Sequence, residues 1–349
     1  FSGVEFLYII LDEAQKIKNP RTKMAKSIKA FNSQYRLALS GTPIENHLGE
    51  LWSIFSFLMP GFLNTLTLFK RFYQTPIEKE GNSARQQLLN SKIRPFMLRR
   101  TKDSVIDELP DKTEIIKYVE FGIEQQKLYE SIRLTMEKQV RDLIVKQGIE
   151  KSHITILDAL LKLRQVCCDP SLLKLKTQIE QTQSAKLELF LELVDELLEE
   201  GRKILVFSQF TSMLSIIEKE LQNRSISYSK LVGSTKDREK VINTFREGKS
   251  DIFLISLKAG GVGLNLVEAD TVIHYDPWWN PAAENQATDR AYRIGQTRAV
   301  FVYKLIVQNS IEEKILQLQE NKKQLQDNLY GEGSDEKITA NDLFELLAH

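Results

Sequence analysis

The 349 residues are 42% hydrophobic and 27% charged with a formal net charge of +1, an ordinary globular make-up long enough for two or more compact units. Charge so evenly balanced excludes a polyanion binder that works through its overall charge, and leaves that role to a local basic surface. The two cysteines, Cys167 and Cys168, are adjacent, which excludes a disulfide framework and a structural zinc site, and no apolar run approaches membrane-spanning length.

Residues 6–11, Phe-Leu-Tyr-Ile-Ile-Leu, read as a buried strand already inside a domain, and Phe1 is not a start methionine, so the chain is expected to be a fragment whose front is missing. That strand runs into Asp12-Glu13, followed by a short helix over 24–31 and a second strand over 35–39. Short apolar runs alternating with helical patterns predict parallel α/β units. Residues 51–58 turn helical until Pro60-Gly61 breaks them, and 62–98 stay mostly helical and polar. A basic cluster, Arg94, Arg99, Arg100 and Lys102, closes that region.

Leu109-Pro110-Asp111-Lys112 reads as a linker into a strand over 113–121, in which Ile115, Lys117, Val119 and Phe121 share one face. The long helical stretch 124–164 carries Leu128, Ile132 and Met136 as core contacts of a helical appendage. Residues 186–200 predict an amphipathic helix whose six acids form a solvated face. Strands follow at 203–207, 227–231, 251–256, 271–275 and 300–307, with helices at 211–222, 237–247 and 281–292. These strands are rich in Val, Ile, Leu and Phe without alternation, as a doubly wound parallel sheet covered on both faces requires. A last helix over 311–325, a flexible linker at 331–335 and a small amphipathic tail at 341–347 complete the chain.

Four constellations carry chemistry. Asp12-Glu13-Ala14-Gln15 sits at the carboxyl end of a strand, where an Asp can hold Mg²⁺ and the next Glu can position or deprotonate a water. Ser40-Gly41-Thr42-Pro43 follows another strand; it also reads as a helix start, with Thr42 as cap and Pro43 in the first turn. Lys258-Ala259-Gly260-Gly261-Val262-Gly263 offers backbone N–H groups to an anion, or simply a tight turn. On a helix, Gln286, Arg290 and Arg293 fall at i, i+4 and i+7, one face that suits phosphate, with Glu284 and Asp289 as the salt-bridging alternative.

Their order along one chain resembles the SWI/SNF-type helicase-like ATPases of helicase superfamily two, over nearly all of residues 1–330. Asp12–Gln15 and 39–46 match that family's second and third motifs, 206–210 with 231–235 the fourth, 256–266 the fifth, and 286–296, with Asp276-Pro277-Trp278-Trp279 before it, the sixth. Leu163-Arg164-Gln165 and Cys168-Asp169-Pro170 resemble a further signature, with Asp169 where many relatives carry His.

The resemblance implies an α/β fold with two RecA-like lobes, the first partial and the second complete, each a parallel sheet flanked by helices. It places the first lobe in 1–110 with a protrusion near 52–100, the second in 111–330 with a protrusion near 122–180 and a brace helix at 311–327, and a tail at 331–349. It also implies an ATP- and Mg²⁺-dependent motor walking on double-stranded DNA without separating its strands. A non-catalytic DNA- or protein-binding module and a strand-separating helicase are the alternatives. By the match, Asp12 holds Mg²⁺, Glu13 activates water, and Arg290 and Arg293 reach the γ-phosphate, ordered by Gln286. Gly263 lines the nucleotide, and Ser40 and Thr42 couple hydrolysis to movement. Gln209, Ser234, Thr235, Lys258 and Gly260 face DNA phosphates, while Trp278 and Trp279 are read as packing, since exposed stacking platforms suit single strands better.

Implied partners are duplex DNA and nucleoprotein complexes such as a nucleosome, polymerase or recombinase, with no membrane. The location is cytoplasmic or nucleoid in a bacterium and nuclear in a eukaryote. No Gly-Lys-Thr loop precedes Asp12 and no later segment replaces it, so the chain alone is expected to lack appreciable ATPase activity.

Overall fold

The computed structural model describes residues 4–40, 48–98, 109–173, 183–260, 263–279, 281–329 and 347. The chain divides into two compact units, 1–101 with 322–337 and 102–321 with 338–349.

In the first unit β1 (Glu5–Leu11) and β2 (Asn32–Ala38) pair in parallel, with Tyr8 opposite Tyr35 and Leu11 opposite Ala38. Parallel neighbours need a crossover, supplied by a 3-10 turn (Ala14–Ile17) and helix α1 (Lys23–Lys29). Thr22 starts α1 by accepting the Ala25 N–H at 3.2 Å. Ile9 and Leu11 pack on Ile17, Ala25 and Phe57, the last from α2 (Leu48–Leu58). The opposite side is bare: Tyr8 and Ile10 are 57 and 58% exposed. The strand 6–11 is therefore not buried as its apolar run suggests, because among the described residues β1 has one neighbouring strand and is covered on one face. Three further helices, α3 (Leu66–Phe69), α4 (Thr75–Glu80) and α5 (Ser83–Ile93), close a separate cluster around Phe55, Phe69, Tyr73 and Leu89.

The second unit is built on β3 (Lys112–Val119), β4 (Ile204–Ser208), β5 (Tyr228–Leu231), β6 (Ile252–Ser256), β7 (Thr271–His274) and β8 (Val300–Val307). They lie in the order β3-β8-β7-β4-β6-β5, every pair parallel. Its helices are α6 (Ile123–Gln147), α7 (Ile149–Cys168), α8 (Ala185–Glu199), α9 (Thr211–Asn223), α10 (Arg238–Arg246), α11 (Leu257–Gly260), α12 (Pro281–Thr288) and α13 (Ile311–Leu329).

Alternate residues of β4 feed two cores. Ile204 and Val206 join α8 and α9 through Phe190, Val194, Met213 and Ile217, while Leu205 and Phe207 meet Phe245, Ala259 and Ala287 on the other face. That two-sided burial explains the unbroken apolar runs of β4, β6 and β7. The predicted stretch 124–164 is two helices, because Gly148, at φ 82° and ψ 162°, breaks it. Leu128, Ile132 and Met136 pack on the core of that hairpin as expected, and the six acids of the stretch 186–200, five in α8 and Glu200 just after it, are exposed.

Lys186, at the start of α8, is fully buried. Its ammonium donates to Tyr275 O (3.2 Å), Leu305 O (3.1 Å) and the Glu312 carboxylate, tying α8, β8 and α13 together. Burial is the largest single influence and works against the charged form, but the Glu312 carboxylate and the two cysteines beside it together outweigh it and hold the ammonium above the usual lysine range.

Candidate nucleotide and nucleic-acid sites

In the first unit the acid pair stands at the carboxyl end of β1, the edge where open α/β sheets bind ligands. Glu13 adopts φ 54° and ψ 50°, a left-handed conformation that costs a non-glycine residue about 1–3 kcal/mol and concentrates at functional turns. Its N–H donates to Asp12 Oδ1 at 2.9 Å. Gln15 Nε2 donates to the Glu13 carboxylate, and Ser40 Oγ donates to Gln15 Oε1 at 2.8 Å. Backbone bonds from Ala14 N to Leu39 O (2.9 Å) and from Leu39 N to Leu11 O (2.7 Å) lock the two strand ends together. The structure thus joins Asp12, Glu13 and Ser40 in one network; Gly41 and Thr42 lie outside the described residues. An exposed carboxylate at a strand end is the kind of oxygen donor that Mg²⁺ takes when phosphate and water fill its other positions, so Asp12 fits that ion.

In the second unit β6 runs straight into the single turn of α11, so residues 257–260 are helical rather than an open glycine loop. Lys258 is exposed on α11. Gly260 closes α11, Gly261 and Val262 lie outside the described residues, and Gly263 is exposed at φ 43°. α12 ends at Thr288, four residues before the predicted end, so Gln286, Arg290 and Arg293 do not share a helix face. The cause is long-range: Arg290 O accepts the Leu266 N–H at 2.9 Å, which draws the chain out of the helix onto the glycine segment. Arg290 is buried there, its Nη1 3.4 Å from Leu264 O, whereas Arg293 is exposed and Gln286 half-buried. Gln296 organises this turn from below, donating to Val267, Ala269 and Ala291 carbonyls and accepting from Thr297 and Arg298 N–H groups.

Ser234 is exposed beyond β5, and Thr235 Oγ1 accepts the Val232 N–H at 3.0 Å, shaping the same turn. Gly248-Lys249-Ser250 is no phosphate loop: it ends α10 at the amino edge of β6, with Lys249 on Glu247 (2.6 Å) and Ser250 on Ser229 (2.7 Å). Asp169 caps the turn Pro170–Leu172, accepting the Ser171 N–H at 2.8 Å, which gives that position a structural use. At the carboxyl ends of β4 and β7, Ser208 Oγ donates to Asp276 at 2.5 Å and Gln209 Oε1 accepts from Arg164 Nη1 at 2.9 Å. Burial raises the Asp276 carboxyl to about 6 against the pull of Arg164. Neither the charge pair nor its link to Gln209 was visible in the sequence, where Arg164 stands only as part of the Leu163-Arg164-Gln165 signature.

Parallel sheets flanked by helices, one with an acid pair at a strand end and one with a buried arginine and glycine turns at its own, are α/β units of the RecA-like kind. The family described as the SNF2-related domain matches residues 1–172, and that described as the helicase conserved C-terminal domain matches 185–295. The chain is 41% identical over 327 residues to an uncharacterized ATP-dependent helicase of Mycoplasma genitalium, covering 93% of this chain and 31% of that protein. It is 41% identical over 335 residues to a putative ATP-dependent helicase/translocase of Bacillus subtilis, covering 94% and 36%. Among solved structures it resembles the Sulfolobus solfataricus SWI2/SNF2 ATPase core in complex with dsDNA, at TM-score 0.55 and 38% identity over 99% of this chain and 71% of that one. The chain belongs to the SWI2/SNF2 family of helicase-like ATPases and has its α/β fold of RecA-like lobes. It spans about a third of the curated relatives' length. No helix among the described residues is long and apolar enough to cross a membrane.

Proposed function

We propose that these residues are the rear part of an ATP-dependent motor that moves along double-stranded DNA inside a longer protein. The observation that carries this is the hydrogen-bonded chain Glu13–Gln15–Ser40, which connects the acid pair to the next strand end. In that reading Asp12 holds Mg²⁺ and Glu13 orients and deprotonates the attacking water. Mg²⁺ supplies charge neutralisation on the phosphates. A change at Glu13 reaches β2 through Gln15 and Ser40, and Thr42 continues the coupling. Arg290 and Arg293 stabilise charge on the transferred phosphoryl group, with Gln286 and Gly263 beside them. Gln209, Ser234, Thr235, Lys258 and Gly260 meet backbone phosphates, so the contact is not sequence-specific.

The domain limits proposed are 1–110, 111–330 and a tail from 331, and the substrates are DNA-bound protein assemblies, in nucleoid or nucleus according to lineage. The 349 residues contain no Gly-x-x-x-x-Gly-Lys-Ser/Thr loop, so this polypeptide alone turns over ATP poorly. The test is DNA-stimulated ATP turnover by the longer protein carrying Glu13→Gln or Arg293→Ala. Each is expected to lower kcat by two orders of magnitude or more, roughly the worth of such groups, with duplex binding retained. Unchanged turnover in both would make the chain a non-catalytic binding module.

A further inference from the structure

Arg164, on the helical insertion, is 2% exposed and ends among groups from three other segments. Its Nη1 donates to Gln209 Oε1 (2.9 Å) and its Nη2 to Pro277 O and Asp276 Oδ2 (3.4 Å). The guanidinium lies over the rings of Phe210, Trp278 and Trp279, at 5.7, 5.8 and 5.3 Å. A guanidinium has donors only, so chemistry fixes the Gln209 amide with its oxygen toward Arg164 and its Nε2 turned away. That Nε2 is buried and has no hydrogen-bond partner. Buried amide donors left unmade are uncommon and call for a reason.

The tryptophan turn does not depend on Arg164 alone. The Trp278 N–H donates to Glu284 Oε1 at 2.6 Å, and Gln319 Nε2 donates to Trp278 O and to Glu284 Oε1 (2.8 Å). Asp276 keeps Ser208 as a second donor. What Arg164 holds by itself is the side chain of Gln209.

We propose that Arg164 is a positioning residue for duplex binding: it fixes the Gln209 carbonyl so that the amide N–H₂ group is kept for a DNA phosphate oxygen. Gln209 is half-buried. The helical insertion thereby sets the aim of a residue it does not carry. The inference rests on the reading above that the carboxyl edge of the second unit faces duplex DNA.

A double-mutant cycle on the whole chain tests it, with a fluorescein-labelled DNA duplex followed by anisotropy at one salt concentration. Arg164→Lys keeps the charge and removes the fork, and Gln209→Ala removes the donor; each is expected to weaken binding about tenfold, the worth of one charge-assisted hydrogen bond. Because the two act through one contact, the double variant stays within about twofold of Gln209→Ala. Gln209→Glu gives Arg164 a better acceptor and the phosphate none, so it binds no better than Gln209→Ala even if Arg164→Lys fails to fold. Losses that simply add, or wild-type affinity in Gln209→Glu, overturn the inference while leaving the motor reading intact. A wild-type chain with no affinity for duplex DNA overturns both.

Discussion

Replacing Glu312 by Gln separates a buried ion pair from ordinary packing. Lys186 and Glu312 are both fully buried; the ammonium has two backbone carbonyls and one carboxylate, and Glu312 Oε2 also accepts the Val307 N–H at 3.0 Å. Removing the carboxylate charge leaves an ammonium facing only dipoles, and uncompensating such a pair costs about 3–5 kcal/mol. For a unit of this size about 2–4 °C accompanies each kcal/mol, so a fall in Tm of about 10 °C is expected. The pairing itself contributes little beyond what apolar groups of similar volume supply, so Lys186→Met with Glu312→Leu should recover most of the loss. Thermal unfolding followed by tryptophan emission in a Trp52→Phe background reports the second unit, where Trp278 and Trp279 sit. A cost below about 1 kcal/mol for Glu312→Gln, or a double variant as unstable as the sum of its singles, would refute the reasoning.

Burial holds His274 down at about 4, so the stability it carries is complete above the free imidazole value of 6.5 and is lost as pH falls through 4. Asp276, held up at about 6 by burial, runs the other way: its contribution is complete below 3.8 and is lost as pH rises through 6. The two slopes offset between pH 4 and 6; urea titrations of His274→Gln should show stability falling as pH rises there, and a fall toward acid instead would contradict the assignment. Asp169→Ala removes the cap on the turn Pro170–Leu172 and should cost about 1 kcal/mol by denaturant midpoint, with Asp169→Asn restoring most of it. Gly148→Ala meets no atom within 4 Å yet should cost about 1–3 kcal/mol, because the backbone there suits only glycine.

The doubly wound sheet of the second unit was legible because its central strands are buried on both faces, and that leaves unbroken apolar runs whose ends shift by one residue at most. Their order was not, since nothing local distinguishes β8 from β5 as the neighbour of β7. Helix α12 was over-extended because Asp289, Arg290, Ala291 and Tyr292 are compatible with helix, and the bond that ends it comes from Leu266, more than twenty residues upstream. The burial of the charges at Lys186, Arg164, Asp276 and Glu312 could not be read from the sequence, since burial of a paired charge leaves no mark on periodicity. In the first unit the acid pair and Ser40 could be placed at strand ends, but the left-handed Glu13 and the Gln15 bridge between them depend on two strands meeting in space.

Displacement of a triplex-forming strand tests the central claim most directly. The longer protein, given ATP, Mg²⁺ and a duplex bearing a third strand, should release that strand without separating the duplex, and Glu13→Gln should abolish release while leaving duplex binding in place. Separation of the two duplex strands would instead mark a strand-separating helicase, and no ATP-dependent release at all would contradict a motor that tracks along double-stranded DNA.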